Sequence, residues 1–245
     1  MNNKYKYSFY PKNKTLLWCP MDTKERFYDN LKNDPSNETL NYYLNNPIEY
    51  QFNNNGFRTA DDFNINEEGN VYLGCSFTMG IGLHLEDTWA YKLNQTIGGK
   101  FWNLSLGGSS IMSQFRILYG FHEELKIKNI FHFAPILPRY EFFIDGKPRI
   151  ISIHDKEHEE LYSKYLIDNE QLNLLYITYV NSIKNLANKI GCNYYHLGYF
   201  PDRYDKLARD LAHPSKKFHD TLYDVFLNKI RNEDYSIEYQ FNETI

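Results

Sequence analysis

The sequence lacks the features that mark membrane-spanning and disulfide-stabilised secreted proteins. Only three cysteines occur among 245 residues, Cys19, Cys75 and Cys192. Their odd number and wide spacing argue against a disulfide framework and against a cysteine-based metal site. No apolar run approaches the ~18 residues of a membrane span, and residues 1–16 lack the apolar stretch of a signal peptide. We therefore expect a soluble, cytoplasmic protein, with release by cell lysis or by a dedicated system as the alternative.

An excess of charge of one sign is also lacking. The chain carries 27 Lys and Arg against 31 Asp and Glu, which gives a formal net charge of −4. The basic residues do not gather in one block, so the sequence shows no footprint of nucleic-acid binding. Aromatic residues are abundant instead, with 22 Tyr and 17 Phe. We expect them to fill much of the core, and some could line a pocket.

The chain has the length of one domain with a substantial core. We interpret the polar residues 1–69 as an N-terminal extension that packs on a main domain of residues 70–245. From residue 70, short apolar runs alternate with segments of helical periodicity. The pattern predicts strands at 71–74, 100–106, 129–135 and 192–197, and helices at 85–97, 110–126, 157–190 (with a break near Asn169) and 216–231.

Repeated strand–helix units predict an α/β protein with a mostly parallel sheet and helices on both faces, in three α/β/α layers. Gly98 and Gly191 are suited to end helices, and Ser215 is suited to begin one. Residues 136–156 are less regular and contain Gly146 and two prolines. In such sheets, sites gather beyond the carboxyl ends of the strands. Ser76, Gly108 and Arg139 all follow predicted strands, so we expect a shared site there.

A serine stands at the end of the first of these strands. The segment 74–80 reads Gly-Cys-Ser-Phe-Thr-Met-Gly and follows the apolar run 71–73. A serine on a glycine-flanked loop between a strand and a helix can hold its hydroxyl out at the end of a sheet. We therefore expect Ser76 to be a nucleophile, although Gly-x-Ser near a strand is common and weak evidence alone.

A serine nucleophile needs a base and a group that orients the base. Asp210 stands three residues before His213, so their side chains can meet. We expect His213 to take the proton of Ser76 and to return it to the leaving alcohol, with Asp210 fixing the imidazole tautomer. The backbone N–H groups of Ser76 and Gly108 would bind the oxyanion. Asp-x-x-His also arises by chance, but its occurrence together with the serine and glycine segments, in this order, is much less frequent by chance.

These blocks resemble those of the SGNH/GDSL hydrolases, in order and in spacing, over about residues 70–220. Gly74-Cys75-Ser76 stands where the family has Gly-Asp-Ser at a strand end. The segment 103–109, Asn-Leu-Ser-Leu-Gly-Gly-Ser, is similar to the second block, with Gly108 in the place of the oxyanion-hole glycine. Asp210 and His213 match the last block, Asp-x-x-His. The stretch 53–58, Asn-Asn-Asn-Gly-Phe-Arg, is similar to a segment that precedes the first block in some branches.

Two departures from the family pattern identify a divergent member. Cys75 replaces the usual aspartate, which leaves the nucleophile intact. The third block, Gly-x-Asn-Asp in the family, reads Phe-Ala-Pro-Ile-Leu-Pro-Arg at 133–139, so no asparagine supplies a third oxyanion donor. Arg139 is the nearest replacement by position, and its cation could also bind an acidic substrate. A surface or ion-pairing arginine is the alternative.

The resemblance implies a flavodoxin-like SGNH hydrolase fold and a serine esterase that acts through an acyl-enzyme. It implies no cofactor and no metal, and a small-molecule or carbohydrate ester as the substrate, with O-acetyl groups on a sugar as the first choice. Nucleic acid and membranes are not expected partners. Two alternatives stay open: a catalytically degenerate SGNH-fold module for binding or assembly, and an O-acyltransferase that uses the same triad.

Four other residues or pairs have side chains that could carry chemistry. His154 and His158 could face one side of a helix as metal ligands, but their densely charged surroundings favour a solvated helix start. His132 lies in an apolar strand and is expected to be a hydrogen-bonded core histidine. Cys75 could be a thiol nucleophile, but strand alternation favours its burial. Arg58 could reach the site, contact a helix end or only pack.

Overall fold

The computed structural model describes residues 4–59, 61–135, 139–152, 160, 168–198, 205 and 207–237. Short strands in these ranges alternate with helices along much of the chain. The strands are β1 (Lys14–Leu16), β2 (Tyr50–Phe52), β3 (Glu68–Leu73), β4 (Lys100–Asn103), β5 (Lys126–Phe133), β6 (Arg139–Ile144), β7 (Lys147–Ser152) and β8 (Asn193–Leu197).

Most helices begin at a side chain that caps them. Thr23, Asn37, Ser110, Asp168 and Ser215 each accept a backbone N–H from the first turn of the helix that follows. Such bonds satisfy donors that have no partner within the helix. The helices are α1 (Lys24–Asn33), α2 (Glu38–Asn45), α3 (Ser76–Met79), α4 (Trp89–Ile97), α5 (Ile111–Phe121), α6 (Asn169–Ile190) and α7 (Lys216–Arg231), with a 3₁₀ helix at Leu85–Asp87.

The central sheet has four strands in the order β4-β3-β5-β8, and every neighbouring pair is parallel. Helices cover both of its faces because successive side chains of a strand point in opposite directions. Val71 and Leu73 pack in one cluster with residues of α5 and α6. Tyr72, between them, packs in a second cluster with residues of α4 and α7. The predicted three-layer α/β/α fold with a parallel sheet is therefore confirmed.

Three asparagines form a hydrogen-bonded row across β3, β5 and β8. Asn129 donates to Asn70 at 2.8 Å, and Asn193 donates to Asn129 at 2.9 Å. Asn70 in turn donates to Asn94 of α4 at 2.9 Å. The asparagines on neighbouring strands are also paired in the sheet register. Because a buried amide is costly unless its donors and acceptors are bonded, this row fixes the alignment of the three strands.

Several element bounds differ from those predicted, for local reasons. The helix expected over 85–97 is divided, because Thr88 is extended and its hydroxyl accepts the N–H of Tyr91. β4 ends at Asn103 rather than 106, because the side chain of Asn103 accepts the N–H of Ser105 in a turn. The helix expected over 110–126 ends at Phe121, and β5 begins at Lys126 rather than 129.

The region 136–156 contains a β-hairpin that the sequence analysis did not predict. β6 and β7 pair antiparallel, from Arg139 with Ser152 to Ile144 with Lys147. The turn residues Asp145 and Gly146 both have positive φ, at 49° and 72°. Asp-Gly between two strands favours a two-residue hairpin turn of this kind, so the missed signal was present in the sequence.

α6 begins at Asn169, the point where the helix expected over 157–190 was predicted to break. The earlier part of that expected helix falls largely in 153–159 and 161–167, outside the described residues. His154 and His158, considered above as metal ligands, also lie outside them. Gly191 ends α6 in the left-handed conformation, and Ser215 caps α7, both as predicted.

The N-terminal segment packs directly on the sheet layer. It contains α1, α2 and the antiparallel pair of β1 and β2, elements that the sequence analysis did not assign. Phe27 and Ile48 of this segment lie in the same hydrophobic cluster as Leu73 and Leu104. The division of the chain into an extension of residues 1–69 and a main domain of 70–245 stays a prediction.

The three cysteines are buried and free, so none forms a disulfide. Among the helices in the described ranges, none combines the length and the apolar character needed to cross a bilayer.

Candidate active site

Ser76 lies where the inner strand β3 turns into α3. Gly74 makes this turn tight, because a Cβ atom on it would lie 1.9 Å from Thr78 Oγ1. Gly80 ends the short helix in the left-handed conformation and donates its N–H to Ser76 O at 2.9 Å. The backbone of Ser76 is therefore held on both sides at the carboxyl end of the sheet, where the sequence analysis expected it.

The side chain of Ser76 is largely enclosed, with the residue 6% exposed. Its hydroxyl hydrogen-bonds to Cys75 Sγ at 3.9 Å. Cys75 itself is buried in the cluster on the α4 and α7 side of the sheet, together with Tyr72 and Phe77. Cys75 was expected to be buried, and the structure agrees with this expectation.

His213 and Asp210 form a tightly bonded pair. Nδ1 of His213 lies 2.6 Å from Asp210 Oδ2. Oδ1 of the same carboxylate accepts the backbone N–H groups of Ala212 and His213 at 3.1 and 3.0 Å. Burial alone would raise the pKa of Asp210, but the imidazole and the two backbone donors outweigh it and lower that pKa below its ordinary value. Asp210 is therefore an ionised acceptor at neutral pH, suited to hold the Nδ1–H tautomer of His213.

The segment that carries this pair packs against the turn that carries Ser76. Arg209 donates its N–H to Gly82 O at 3.0 Å. A Cβ on Gly82 would lie 2.7 Å from Cβ of Ala208, so only glycine permits this approach. The rings of Phe77 and His213 meet edge to face, with centroids 5.8 Å apart. Neighbours of Ser76 in the chain thus contact both ends of the 208–213 segment.

No direct hydrogen bond joins the Ser76 hydroxyl to the His213 ring, two groups that the structure does describe. Hydrogen bonds of this kind are often long in free enzymes and tighten when substrate binds. The structure therefore brings the two segments together, and the catalytic contact between Ser76 and His213 stays a prediction.

The loop after β4 lies beside the Ser76 turn. Ser109 Oγ donates to Gly74 O at 2.9 Å, which ties this loop to the end of β3. Gly108 has a φ of +75°, and no atom lies within 4 Å of the position of a Cβ on it. Gly107 is crowded, with Tyr10 Oη 2.6 Å from such a position. The space beside Gly108 is open, whereas Gly107 is tightly packed. The backbone N–H of Gly108 could therefore face the site, and its oxyanion role stays a prediction.

Arg139 begins β6 and pairs with Ser152 in the hairpin. Its Nη1 atom is buried without a hydrogen-bond partner. No hydrogen bond or ion pair joins it to Ser76, Asp210 or His213, all of which are among the described residues. The structure therefore gives Arg139 no direct link to the three residues of the predicted triad, and its role in binding substrate or oxyanion stays a prediction.

Arg58 contacts the end of α3, one of the roles considered for it. Its Nη1 donates to the carbonyls of Met79 and Gly80 at 3.1 and 2.6 Å, and its Nη2 donates to Leu83 O at 2.8 Å. The guanidinium also lies over the ring of Tyr50, 4.4 Å from its centroid. A buried cation at the carboxyl end of a helical turn bonds carbonyls that would otherwise lack donors.

Asp22, Tyr50 and Arg209 are buried beside this region, and none of them is predicted as a site residue from the sequence. Arg209 forms an ion pair with Asp22, with Nη2 2.6 Å from Oδ2. The only sequence signal was the position of Arg209 immediately before Asp210. Asp22 and Tyr50 are more than 150 residues away from it along the chain, so only the fold shows that they meet.

His132 is a core histidine, as expected. It is fully buried, with Nδ1 2.7 Å from Tyr194 Oη and Nε2 2.6 Å from Gln114 Oε1. Burial, together with the nearby His196, lowers the pKa of His132 well below its ordinary value. Within the described ranges, no group of three or more His, Cys, Asp or Glu side chains is arranged to hold a metal ion.

The protein has a three-layer α/β/α fold with a parallel sheet, and Ser76 lies at the carboxyl end of the inner strand β3. No family model matches the chain, and no curated protein matches it significantly. Similar solved structures include TesA, with 12% identity over 67% of this chain and 98% of that one, at a TM-score of 0.45. The psychrotrophic esterase EstA from Pseudoalteromonas sp. has 10% identity over 67% and 97% of the two chains, at a TM-score of 0.41.

The acetylxylan esterase Axe2 from Geobacillus stearothermophilus is also similar, with 12% identity over 75% of this chain and all of that one, at a TM-score of 0.32. EstA and Axe2 are named as esterases, which describes those proteins and not this chain. The likeness is structural only. At these identities and TM-scores it assigns neither an activity nor a substrate nor the role of any residue.

Proposed function

We propose that this chain is a serine ester hydrolase of the SGNH type, with Ser76 as nucleophile, His213 as general base and Asp210 as the group that orients the base. The observation that carries the proposal is the buried His213–Asp210 pair, with Nδ1 and Oδ2 2.6 Å apart, on a segment bonded to the turn after Ser76. A free imidazole Nε2 with Nδ1 held by a carboxylate is the arrangement that serine nucleophiles require.

In the first half of the reaction, Ser76 Oγ attacks the acyl carbonyl while His213 Nε2 takes the hydroxyl proton. The carbonyl oxygen becomes an oxyanion that the backbone N–H groups of Ser76 and Gly108 would bind. The C–O bond to the alcohol then breaks, and His213 returns the proton to that alcohol. Asp210 stabilises the imidazolium while it exists and stays ionised throughout.

In the second half, water attacks the acyl-enzyme and His213 again accepts a proton. The second tetrahedral intermediate collapses with the proton returned to Ser76 Oγ, so that the acid is released and the enzyme regenerated. All steps use groups of the chain and water, and no cofactor is required. An alcohol in place of this water would give acyl transfer by the same steps.

We propose a small acyl group as the substrate's reacting part, with O-acetyl on a carbohydrate as the specific form. The enclosure of Ser76, which is 6% exposed, supports this choice. Arg139, with a buried donor that has no partner, would bind an acidic group of the substrate or the oxyanion.

A catalytically inactive binding module is the second candidate. Two observations favour it: no hydrogen bond joins Ser76 to His213 in the structure described above, and the third block lacks an asparagine. A fluorophosphonate probe separates the two candidates, because it labels only a serine that is activated as a nucleophile.

The direct test compares wild-type protein with Ser76→Ala on p-nitrophenyl acetate. Ser182→Ala is a matched control, since that hydroxyl only donates to Thr178 O on α6. We expect hydrolysis and probe labelling by wild type and by the control, and neither by Ser76→Ala. Equal ester cleavage by wild type and Ser76→Ala would refute the proposal. Product analysis on an acetylated glycan, with and without an added alcohol acceptor, decides between hydrolysis and acyl transfer.

A further inference from the structure

Four residues close a ring of hydrogen bonds between the N-terminal segment and the two site segments. Tyr50 Oη accepts the N–H of Gly82 at 2.8 Å and donates to Asp22 Oδ2. Asp22 accepts from Nε and Nη2 of Arg209, at 3.0 and 2.6 Å. Arg209 completes the ring by donating its own N–H to Gly82 O at 3.0 Å. We call this set of Asp22, Tyr50, Gly82 and Arg209 the buried ring.

The side chains of the buried ring are shielded from water. Asp22 and Tyr50 are 0% exposed and Arg209 is 1% exposed. The guanidinium also donates to Leu17 O at 2.6 Å and lies 4.0 Å from the centroid of the Trp18 ring. An ion pair at this depth requires well-placed partners for both charges. The positions of Asp22 and Arg209 are therefore narrowly defined, because a shift of either side chain would leave a buried charge or donor without a partner.

The buried ring lies between the two halves of the triad. Gly82 belongs to the loop that follows α3, and both its N–H and its carbonyl oxygen form hydrogen bonds of the buried ring. Arg209 takes part with backbone and side chain, and the next residue is Asp210. Each displacement of Gly82 relative to Arg209 would therefore alter the separation of Ser76 from the Asp210–His213 pair.

We propose that Tyr50, Asp22 and Arg209 are positioning residues that set the distance between Ser76 and His213. The inference rests on the proposed function, since it assigns these residues to the same reaction. They touch no reacting atom. The N-terminal segment supplies Tyr50 and Asp22, so it acts as part of the catalytic scaffold through contacts made beneath the site.

Tyr50→Phe tests the positioning role because it removes only the hydroxyl oxygen and keeps the aromatic ring that packs against Arg58. Tyr43→Phe is the matched control, because Tyr43 is a buried tyrosine of the same segment outside the buried ring. Amide hydrogen exchange is the readout that does not depend on activity. We expect Tyr50→Phe to accelerate exchange at Gly82 and also at Ala212 and His213, whose N–H groups bond Asp210 and not Tyr50. We expect Tyr43→Phe to leave exchange unchanged at all three residues. Acceleration confined to Gly82 would overturn the proposed coupling.

Kinetics on p-nitrophenyl acetate supply the second readout. A displacement of about 1 Å can cost up to 10²-fold in rate, so we expect Tyr50→Phe to lower kcat by about ten- to hundredfold with KM within about twofold. An unchanged kcat in folded Tyr50→Phe overturns the positioning role. If Tyr50→Phe does not fold, Asp22→Asn, which keeps the side-chain shape, is judged by the same criteria.

A double variant separates positioning from general destabilisation. If Tyr50 acts through the Asp210–His213 pair, Tyr50→Phe should cost much less kcat in an Asp210→Asn background than in wild type. Full additivity of the two losses overturns the proposal. Equal hydrolysis by wild type and Ser76→Ala would be a different result. It would refute the proposed function, and it would also refute the positioning role, even if the exchange data agreed with the expectation above.

Discussion

The carboxylate of Asp210 bonds His213 twice, through Oδ2 to the ring Nδ1 at 2.6 Å and through Oδ1 to the backbone N–H at 3.0 Å. The backbone contact fixes the carboxylate, and the fixed carboxylate then orients the ring. Because the two residues are three apart on one turn, this arrangement is local. It favours the Nδ1–H tautomer of His213 through contacts between these two residues alone.

Replacement of Asp210 by Asn should reverse this tautomer. The amide oxygen can still accept the backbone donors, but the NH₂ group would face Nδ1 and force the ring proton onto Nε2, where it blocks the base. We expect kcat on p-nitrophenyl acetate to fall by about 10²–10⁴-fold with little loss of stability. Asp220→Asn, which changes an exposed carboxylate paired with Lys92, is the control. Retention of wild-type kcat in Asp210→Asn would exclude a triad role.

Gly82→Ala should destabilise the protein and impair the site together. The added methyl would lie 2.7 Å from Ala208 Cβ, at a φ of +80°. Gly191→Ala is the matched control, because Gly191 has a φ of +74° and open space around it. We expect about 1–2 kcal/mol of destabilisation for Gly191→Ala from backbone strain alone, and about 1–3 kcal/mol more for Gly82→Ala from the clash.

Urea unfolding measures both free energies, and ester hydrolysis is assayed in parallel. Activity should fall only in Gly82→Ala. Equal destabilisation in the two variants would contradict the close packing of the 208–213 segment on the Ser76 loop.

Arg58→Lys should be destabilising although it keeps the charge. Lysine cannot reproduce the planar group that bonds the carbonyls of Met79, Gly80 and Leu83. With one or two of these buried acceptors left without a donor, we expect a loss of about 2–4 kcal/mol in the free energy of unfolding. The exposed Arg231→Lys should change it by less than about 0.5 kcal/mol. A loss for Arg58→Lys as small as that of the control would show that its contacts do not stabilise the α3 turn.

Stability should fall as the pH drops below about 6.5. Burial, with smaller contributions from neighbouring cations, lowers the pKa of His196 and of His219 to about 3. The unfolded chain then binds protons below about pH 6.5 that the folded chain does not, so protonation favours unfolding. Each such histidine contributes a loss of up to about 1.4 kcal/mol per pH unit between its unfolded and folded pKa values.

The variant that tests this is His219→Asn. His219 Nδ1 accepts the N–H of Trp89 at 3.1 Å, and an asparagine oxygen can occupy nearly the same position without titrating. The slope of unfolding free energy against pH, measured by urea titration from pH 4.5 to 6, should decrease by about 1.4 kcal/mol per pH unit. An unchanged slope would mean that His219 is protonated in the folded state or exposed to water.

Local signals explain which elements the sequence predicted well. Ser215 begins α7 and Gly191 ends α6 because caps depend on one side chain or one φ angle. The hairpin at Asp145-Gly146 was not predicted, although the Asp-Gly turn sequence that favours it is equally local. The two helices of the N-terminal segment were missed for a different reason. They are short and rich in polar residues, and most of the stability of such helices comes from packing on the core.

By itself, the sequence determined the alternation that builds a parallel α/β sheet, the glycine-flanked serine at a strand end and the adjacent Asp210–His213 pair. All three depend on residues close together in the chain, where spacing alone decides which groups meet. Only the tertiary structure decided that Gly82 meets Arg209, that Asp22 and Tyr50 join them, and that Arg58 bonds the end of α3. These contacts join distant segments, and the choice among many similar buried partners is made by packing of the whole core.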